Sequence, residues 1–155
     1  MKLKINTVGY EPISLTDAKE YLQVDGSHDD KLITRLITAA RQMVETICGV
    51  SIVEKSIEVG SANFQTPWLL PYGPVKTMTS ATVDGETAEI DGDYITTSGA
   101  ILEAEYIAGF EELPAGLEQA MYELIKLYYD ARGMQMQIPD TLYGALQKYS
   151  RNLVV

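Results

Sequence analysis

Apolar side chains recur through the thirties and forties of the chain at intervals of three and four, the spacing of one helix face. Placed at ~100° per residue, Leu32, Ile33, Leu36, Ile37, Ala40, Met43, Val44 and Ile47 share a stripe about 140° wide. Lys31, Thr34, Arg35, Thr38, Arg41, Gln42, Glu45 and Thr46 fall outside it. This predicts a long surface helix with one buried face. Ser27 is placed as its N-cap, with Asp29 and Asp30 in the first turn where the helix dipole favours negative charge, and Gly49 as its C-terminal cap. Upstream, Ser14 reads as the N-cap of a short helix from Leu15 to Gln23, with Asp17 in a box-like position and Asp25-Gly26 as the breaker. The first thirteen residues read as an extended arm ended by Pro12.

From Val50 to Ile107 the period changes to two. Ser51–Val59 alternates β-branched and polar residues, and Trp68-Leu69-Leu70 is a short apolar run before Pro71. Thr77–Val83, Thr87–Ile90, Asp93–Thr97 and Ala100–Ile107 follow as strands, divided by the turn signals Asp84-Gly85, Asp91-Gly92 and Ser98-Gly99. Parallel neighbours would need long crossovers, so the sheet must be antiparallel. The helical period then returns. Pro114 suits a first turn, and Leu113, Leu117, Ala120, Met121, Leu124, Ile125, Leu127, Tyr128 and Ala131 share a face until Gly133. Met134–Ile138 reads as a linker, and Pro139 and Asp140 open a last helix through about Arg151. The expectation is an α+β fold: a framework of about four helices with a small antiparallel sheet, Ser51–Ile107, inserted between the second and third. Residues 1–155 then form a single domain with an inserted β subdomain (51–107) and a C-terminal linker and helix (134–155).

Charge changes the picture by its placement. The net charge is −10, yet between Lys76 and Lys126 there is no base at all. That stretch holds Asp84, Glu86, Glu89, Asp91, Asp93, Glu103, Glu105, Glu111, Glu112, Glu118 and Glu123. Gripping DNA requires clustered lysine and arginine, so the chain is not expected to grip DNA. One cysteine rules out an intrachain disulfide, the N-terminal residues carry no secretory pattern, and nothing approaches a membrane span. The expectation is a protein made and folded in a cytoplasm.

Candidate chemistry is sparse. The single histidine, His28, falls in a helix first turn, and no Gly-x-Ser-x-Gly elbow accompanies it. Cys48 lies beside a helix-ending glycine, and neither residue belongs to a zinc pattern. The run Asp84–Tyr94 clusters oxygen ligands, but it lacks the glycine and glutamate positions of a helix–loop–helix calcium loop. Asp and Gly are in any case the residues that tight turns favour. No catalytic set, metal or cofactor is expected; a hydrolase using the acidic hairpins is the enzyme alternative. Tyr122 and Tyr129, seven apart, lie at the edge of the apolar stripe of their helix. They either cap the core or, with Met134, Met136, Leu142 and Tyr149, meet a neighbouring subunit.

The longest motif is SLTDAKEYLQVDGSHDDKLITRLITAARQMVE, Ser14 to Glu45. Its Leu15, Ala18, Lys19, Leu22, Val24 and Asp25, followed by Asp29 through Arg41, resemble the head–tail connector (adaptor) family of tailed phages and prophages. LPYGPV (Leu70–Val75) resembles that family's Pro-x-x-Pro segment. Tyr106, Ala108, Gly109 and Phe110, then Pro114, resemble its Tyr-x-Ala-Gly-aromatic element. Ala120, Leu124, Tyr128 and Arg132 match its next helix, and YGALQKYSR its closing one. The likeness runs from Ser14 to Arg151, while the N-terminal arm and Val83–Thr97 match nothing in it.

The resemblance implies a structural subunit of a ring, commonly of about twelve copies, built by one repeated head-to-tail contact. It further implies partners: other copies of itself, the portal protein, a tail-side neck or stopper protein, and double-stranded DNA in transit. No membrane is involved, and the location is the host cytoplasm during assembly and then the virion neck. Asp84, Glu86, Glu89, Asp91, Asp93, Glu103 and Glu105 become candidates for an acidic lumen that repels phosphate, or for a surface docking on a basic neck partner, with plain solubility as the third reading. Another oligomeric neck or tail-completion protein, or a generic binding module, is the alternative.

Overall fold

Among the described residues the chain forms eight strands and four helices, with the strands gathered between the second and third helices except for one at the N-terminus. In chain order these are β1 (Lys2–Thr7), α1 (Leu15–Leu22), α2 (Asp30–Cys48), β2 (Lys55–Ala62), β3 (Trp68–Leu69), β4 (Val75–Val83), β5 (Glu86–Thr87), β6 (Ile90–Asp91), β7 (Tyr94–Ile95), β8 (Ile101–Ala108), α3 (Ala115–Asp130) and α4 (Asp140–Gln147). The structure is a computed structural model and describes residues 1–134 and 137–151. The fold class is α+β, with every strand ladder antiparallel. Two compact units divide the chain, Met1–Tyr10 with Val50–Glu111 and Glu11–Gly49 with Glu112–Val155.

The first unit holds a five-stranded sheet, order β1-β2-β8-β4-β5, and a three-stranded one, order β3-β7-β6. The N-terminal arm is thus a strand, with Lys2 opposite Gly60 and Thr7 opposite Lys55 in unbroken register. Alternation along β8 sends Leu102, Ala104, Tyr106 and Ala108 inward and Ile101, Glu103 and Glu105 outward. The inward set packs with Ile57, Val59, Leu70, Ala81, Val83 and Ile95, all buried, and Leu3, Trp68 and Met78 close over them. The buried Tyr106 directs its hydroxyl to the Pro71 carbonyl, so the one polar atom of that core side chain is paired.

The expected strand Asp93–Thr97 shortens to β7, and two further strand expectations change. β2 begins at Lys55 and not at Ser51, because Ser51 donates its N–H to the Gly73 carbonyl (2.8 Å) and its hydroxyl to the Tyr72 carbonyl (2.6 Å). The expected strand Thr87–Ile90 divides between the two sheets as β5 and β6, with Ala88 N–H bonded to the Ala81 carbonyl between them.

The second unit is helical. Ser14 caps α1 as its spacing predicts, its hydroxyl oxygen accepting the Asp17 N–H at 3.0 Å. Gly49 closes α2 in the left-handed region, φ 67°, with its N–H on the Glu45 carbonyl at 2.8 Å. The α2 N-cap is Asp29 and not Ser27, and no side chain caps it, because the Asp29 carboxylate is occupied elsewhere. α3 buries Leu117, Ala120, Met121, Leu124, Ile125 and Tyr128. α4 ends at Gln147, short of the expected Arg151, and the next residues turn through three-residue bonds from Tyr149 to Leu146 and Ser150 to Gln147. No helix among the described residues is long and apolar enough to cross a membrane.

Candidate interaction surfaces

The buried face of α2 is Ile33, Leu36, Ile37, Ala40, Arg41, Val44, Glu45 and Cys48. It is rotated from the hydrophobic stripe, so that Leu32, Met43 and Ile47 are only half-buried while Arg41 and Glu45 go inside. Arg41 resolves the cost of burial by forking onto two carboxylates. Its Nε and Nη2 donate to the two oxygens of Glu11 (3.1 and 2.8 Å), and Nη1 donates to Glu45 (2.9 Å). Thr38 adds a hydroxyl to Glu11 at 3.0 Å. The Glu11 hydrogen bond, followed by that of Glu45, holds the guanidinium pKa above its usual value. Sequence reasoning placed both residues off the apolar face; an Arg and a Glu four apart was the signal that could have found the pair.

A second polar cluster ties the start of α2 to the end of α3. Arg132 donates to both oxygens of Asp29 (2.9 and 3.1 Å), and Tyr129 donates its hydroxyl at 2.7 Å. The guanidinium also lies 5.6 Å from the centre of the Tyr129 ring. These bonds, Arg132 first, pull the Asp29 pKa down to about 2, and the Asp29 hydrogen bond pushes the Tyr129 hydroxyl up. Tyr122 stacks at 4.9 Å on Tyr21 of α1, and burial foremost raises its hydroxyl pKa. Tyr149 lies with its ring against Gly116, where an added Cβ would collide with the phenol. Leu142 is buried. Four of the six residues considered for subunit contact are therefore held by partners within their own unit.

Met134 is placed differently. It is 69% exposed and borders an open hollow of about 380 Å³ with Leu36, Ala39, Met43, Tyr128 and Gly133. Met136 lies outside the described residues. Met43, one of the stripe residues that the rotation of α2 leaves half-buried, is part of this lining.

The seven acids go to three places. Asp84 and Asp93 brace the backbone: Asp84 accepts the Ala100 and Ile101 N–H groups (2.8–3.1 Å), and Asp93 accepts the Val75 N–H at 2.7 Å. The bonds from Ala100 and Ile101 lower the Asp84 pKa. Gly99 is required there, since a Cβ would strike Val83 and the Asp84 carboxylate. Glu103 and Glu105 stand on the open face of the five-stranded sheet. Cross-strand register there aligns Lys4, Glu58, Glu105 and Ser80 in one row, and Lys2, Gly60, Glu103 and Thr82 in the next. Lys4 donates to Glu58 at 2.6 Å, and its ammonium pKa is raised chiefly by that bond. With no side chain at Gly60, these rows surround a shallow hollow of about 400 Å³. Glu86, Glu89 and Asp91 lie on the exposed β5–β6 segment.

His28 is exposed and 3.5 Å from Asp29. Cys48 is buried, its sulfur 3.4 Å from the Leu146 carbonyl, and burial pushes the thiol pKa up to about 11. Among the described residues no three acids, histidines or cysteines converge as a metal site.

What these surfaces offer is contact: an open polar sheet face, an acidic edge and an apolar helical hollow. Residues 11–137 match the family model described as head completion protein, and the chain belongs to that family. This agrees with the connector resemblance that runs from Ser14 to Arg151. Among solved structures, a chain from the neck of an empty gene transfer agent particle, computed with sixfold symmetry, shares the fold at TM-score 0.72. That match is 18% identical and covers 98% of this chain and 97% of the other. A chain of the native gene transfer agent virion follows at TM-score 0.70, with 18% identity and 97% of both chains covered. A neck chain of the native particle, computed with twelvefold symmetry, stands at TM-score 0.66 and 19% identity, covering 98% of this chain and 97% of that one. No curated protein matches the sequence.

Proposed function

We propose that this chain is a structural subunit of a particle neck, a connector that completes the head by joining the portal to the tail. The observation that carries the reading is the agreement, over nearly the whole length, between a head completion family member and chains of a gene transfer agent neck. On this reading copies assemble as a ring on the portal, a tail-side protein docks below, and DNA passes through the centre without chemistry on it. Charge supports the last point. Lys4, Lys19, Arg41, Lys76, Lys126 and Arg132, half of the twelve bases, each hold a carboxylate of this chain, which reduces the positive charge open to phosphate. Met134 and its hollow are the helical surface offered to a partner, and Glu103 and Glu105 are the acids of the sheet face offered to the lumen or to a neck protein. Synthesis in the cytoplasm and residence in the neck follow.

The test is size-exclusion chromatography with light scattering over a concentration series, alone and with purified portal, and negative-stain imaging of the largest species. Rings with a hole wide enough for duplex DNA are expected. A compact dimer that persists on dilution and ignores the portal would overturn the reading in favour of a generic binding module.

A further inference from the structure

Two faces of this chain, one in each compact unit, carry unopposed charge of opposite sign at similar intervals. The first is the outer face of α2. Lys31, Arg35 and Ala39 are exposed and four residues apart, so they form one ridge with successive steps of about 6 Å along the axis. Neither Lys31 nor Arg35 has an ion-pair partner among the described residues, and the adjacent acid, Asp30, has its carboxylate held by Lys19 at 2.8 Å. Lys2 and Lys148 are exposed and unpaired as well, but only Lys31 and Arg35 are neighbours on one element.

The second is the open face of the five-stranded sheet. β8 sends Ile101, Glu103 and Glu105 to that face, two residues apart and therefore about 6.7 Å from one to the next. Glu105 lies directly opposite Glu58 of β2, and Lys4, the base of that row, is bonded to Glu58 at 2.6 Å. Neither Glu103 nor Glu105 has an ion pair among the described residues. Glu103 is flanked across the strands by Gly60 and Thr82, and Glu105 by Ser80 on its β4 side, so the hollow of about 400 Å³ admits a long side chain from outside.

Like charges at these positions work against the isolated element: four apart on a helix in one case, directly opposite across strands in the other. Opposite charge brought from outside relieves both. The two rows also agree in order. With α2 laid antiparallel to β8, Lys31 falls on Glu105, Arg35 on Glu103, and Ala39 on Ile101, which is 57% exposed. Over those two steps the intervals differ by about 1.4 Å, a gap that flexible lysine and arginine stems absorb. The chain carries both halves of the match, and they are different surfaces, as a repeated head-to-tail contact requires.

We propose that neighbouring copies of this chain meet helix on sheet, the Lys31–Arg35–Ala39 ridge of one copy lying along Glu105, Glu103 and Ile101 of the next. The inference rests on the ring reading above and assigns its repeated contact. The neck protein that meets Glu103 and Glu105 is then another copy.

The experiment mixes equal amounts of full-length 14N- and 15N-labelled protein, alone and on purified portal, and couples lysine to carboxylate with a zero-length carbodiimide. Mixed-isotope peptides joining Lys31 to Glu103 or Glu105 are expected, with the same-isotope Lys4–Glu58 link as an internal check of reaction. Three charge variants follow, each verified for folding by circular dichroism: Lys31→Glu/Arg35→Glu, Glu103→Lys/Glu105→Lys, and the four substitutions together. Each double variant should assemble about tenfold more weakly, since two attractions become repulsions. The fourfold variant should recover assembly with itself, because its exchanged charges match again. Rings in which Lys31 links only to other carboxylates, or a fourfold variant as impaired as the doubles, overturn the helix-on-sheet contact and leave the ring intact. Absence of both rings and mixed-isotope links on the portal overturns the two together.

Discussion

Arg41 is the residue whose replacement asks most of the structural argument. Its side chain is 8% exposed and that of Glu45 is 7% exposed, whereas Glu11 keeps 30% and can reach water. Arg41→Met retains the length of the apolar stem and deletes three charge-assisted hydrogen bonds. The carboxylates are left without the guanidinium, and removing one member of a buried ion pair costs about 3–5 kcal/mol. For a domain of this size that corresponds to a fall of about 6–20 °C in Tm. The double variant Arg41→Met/Glu45→Met removes the buried Glu45 charge as well and fills the site with apolar volume, so part of the loss should return. Arg41→Lys should fall between, because a single ammonium cannot fork onto Glu11 and Glu45 at once. Urea unfolding followed by circular dichroism reads all three, with an unchanged m-value required for the comparison. An Arg41→Met loss below about 1 kcal/mol, or a double variant no better than the single, would refute the reasoning.

Gly116→Ala should cost about 1–3 kcal/mol by displacing the Tyr149 ring, and limited proteolysis should then cut after α4 in the variant before the parent. Asp29 is the source of an acid-side signature. Its folded pKa is depressed to about 2, so the stability it contributes is fully present above about pH 4 and is lost as pH falls toward 2. Asp29→Asn should flatten that part of the pH–stability curve and leave it unchanged near pH 7 in slope. Cys48, buried and with its thiol pKa raised to about 11, should react with a thiol reagent at pH 8 only as fast as the helical unit opens, and at once in urea. Asp84→Ala should loosen the Ser98–Ile101 turn, seen as faster hydrogen exchange at the Ala100 and Ile101 amides.

The periodicities in the sequence located the helices and the antiparallel sheet because each element buries one face and shows its alternation plainly. Ser14 and Gly49 were legible as caps because capping depends on local geometry. Ser27 was not: α2 starts only at Asp30, and the Asp29 before it gives its carboxylate to Arg132, about a hundred positions away. The rotation of the α2 stripe was hidden for the same reason: a hydrophobicity count puts Arg41 and Glu45 outside, and only Glu11, thirty residues upstream of Arg41, makes burying them tolerable. Charge counting found the acidic third of the chain but could not divide it. Asp84 and Asp93 brace backbone, Glu103 and Glu105 face outward from a sheet, and Glu86, Glu89 and Asp91 line an edge, a sorting that depends on strand register and turn geometry. β1 was read as an arm because a six-residue stretch with two lysines has no partner within sight in the sequence.

The strand order β1-β2-β8-β4-β5 also sets a timetable for synthesis. β2 and β4 both pair with β8, the last strand to be translated, so the sheet has no centre until residue 108 has left the ribosome. At about 5–20 residues per second, the interval between completing β2 and completing β8 lasts on the order of seconds. Throughout it, β1 and β2 form at most a lone antiparallel pair, and an isolated pair of strands is barely stable in water. On such a briefly unpartnered strand, Lys2 and Lys4 supply the kind of edge charge that disfavours pairing with another chain.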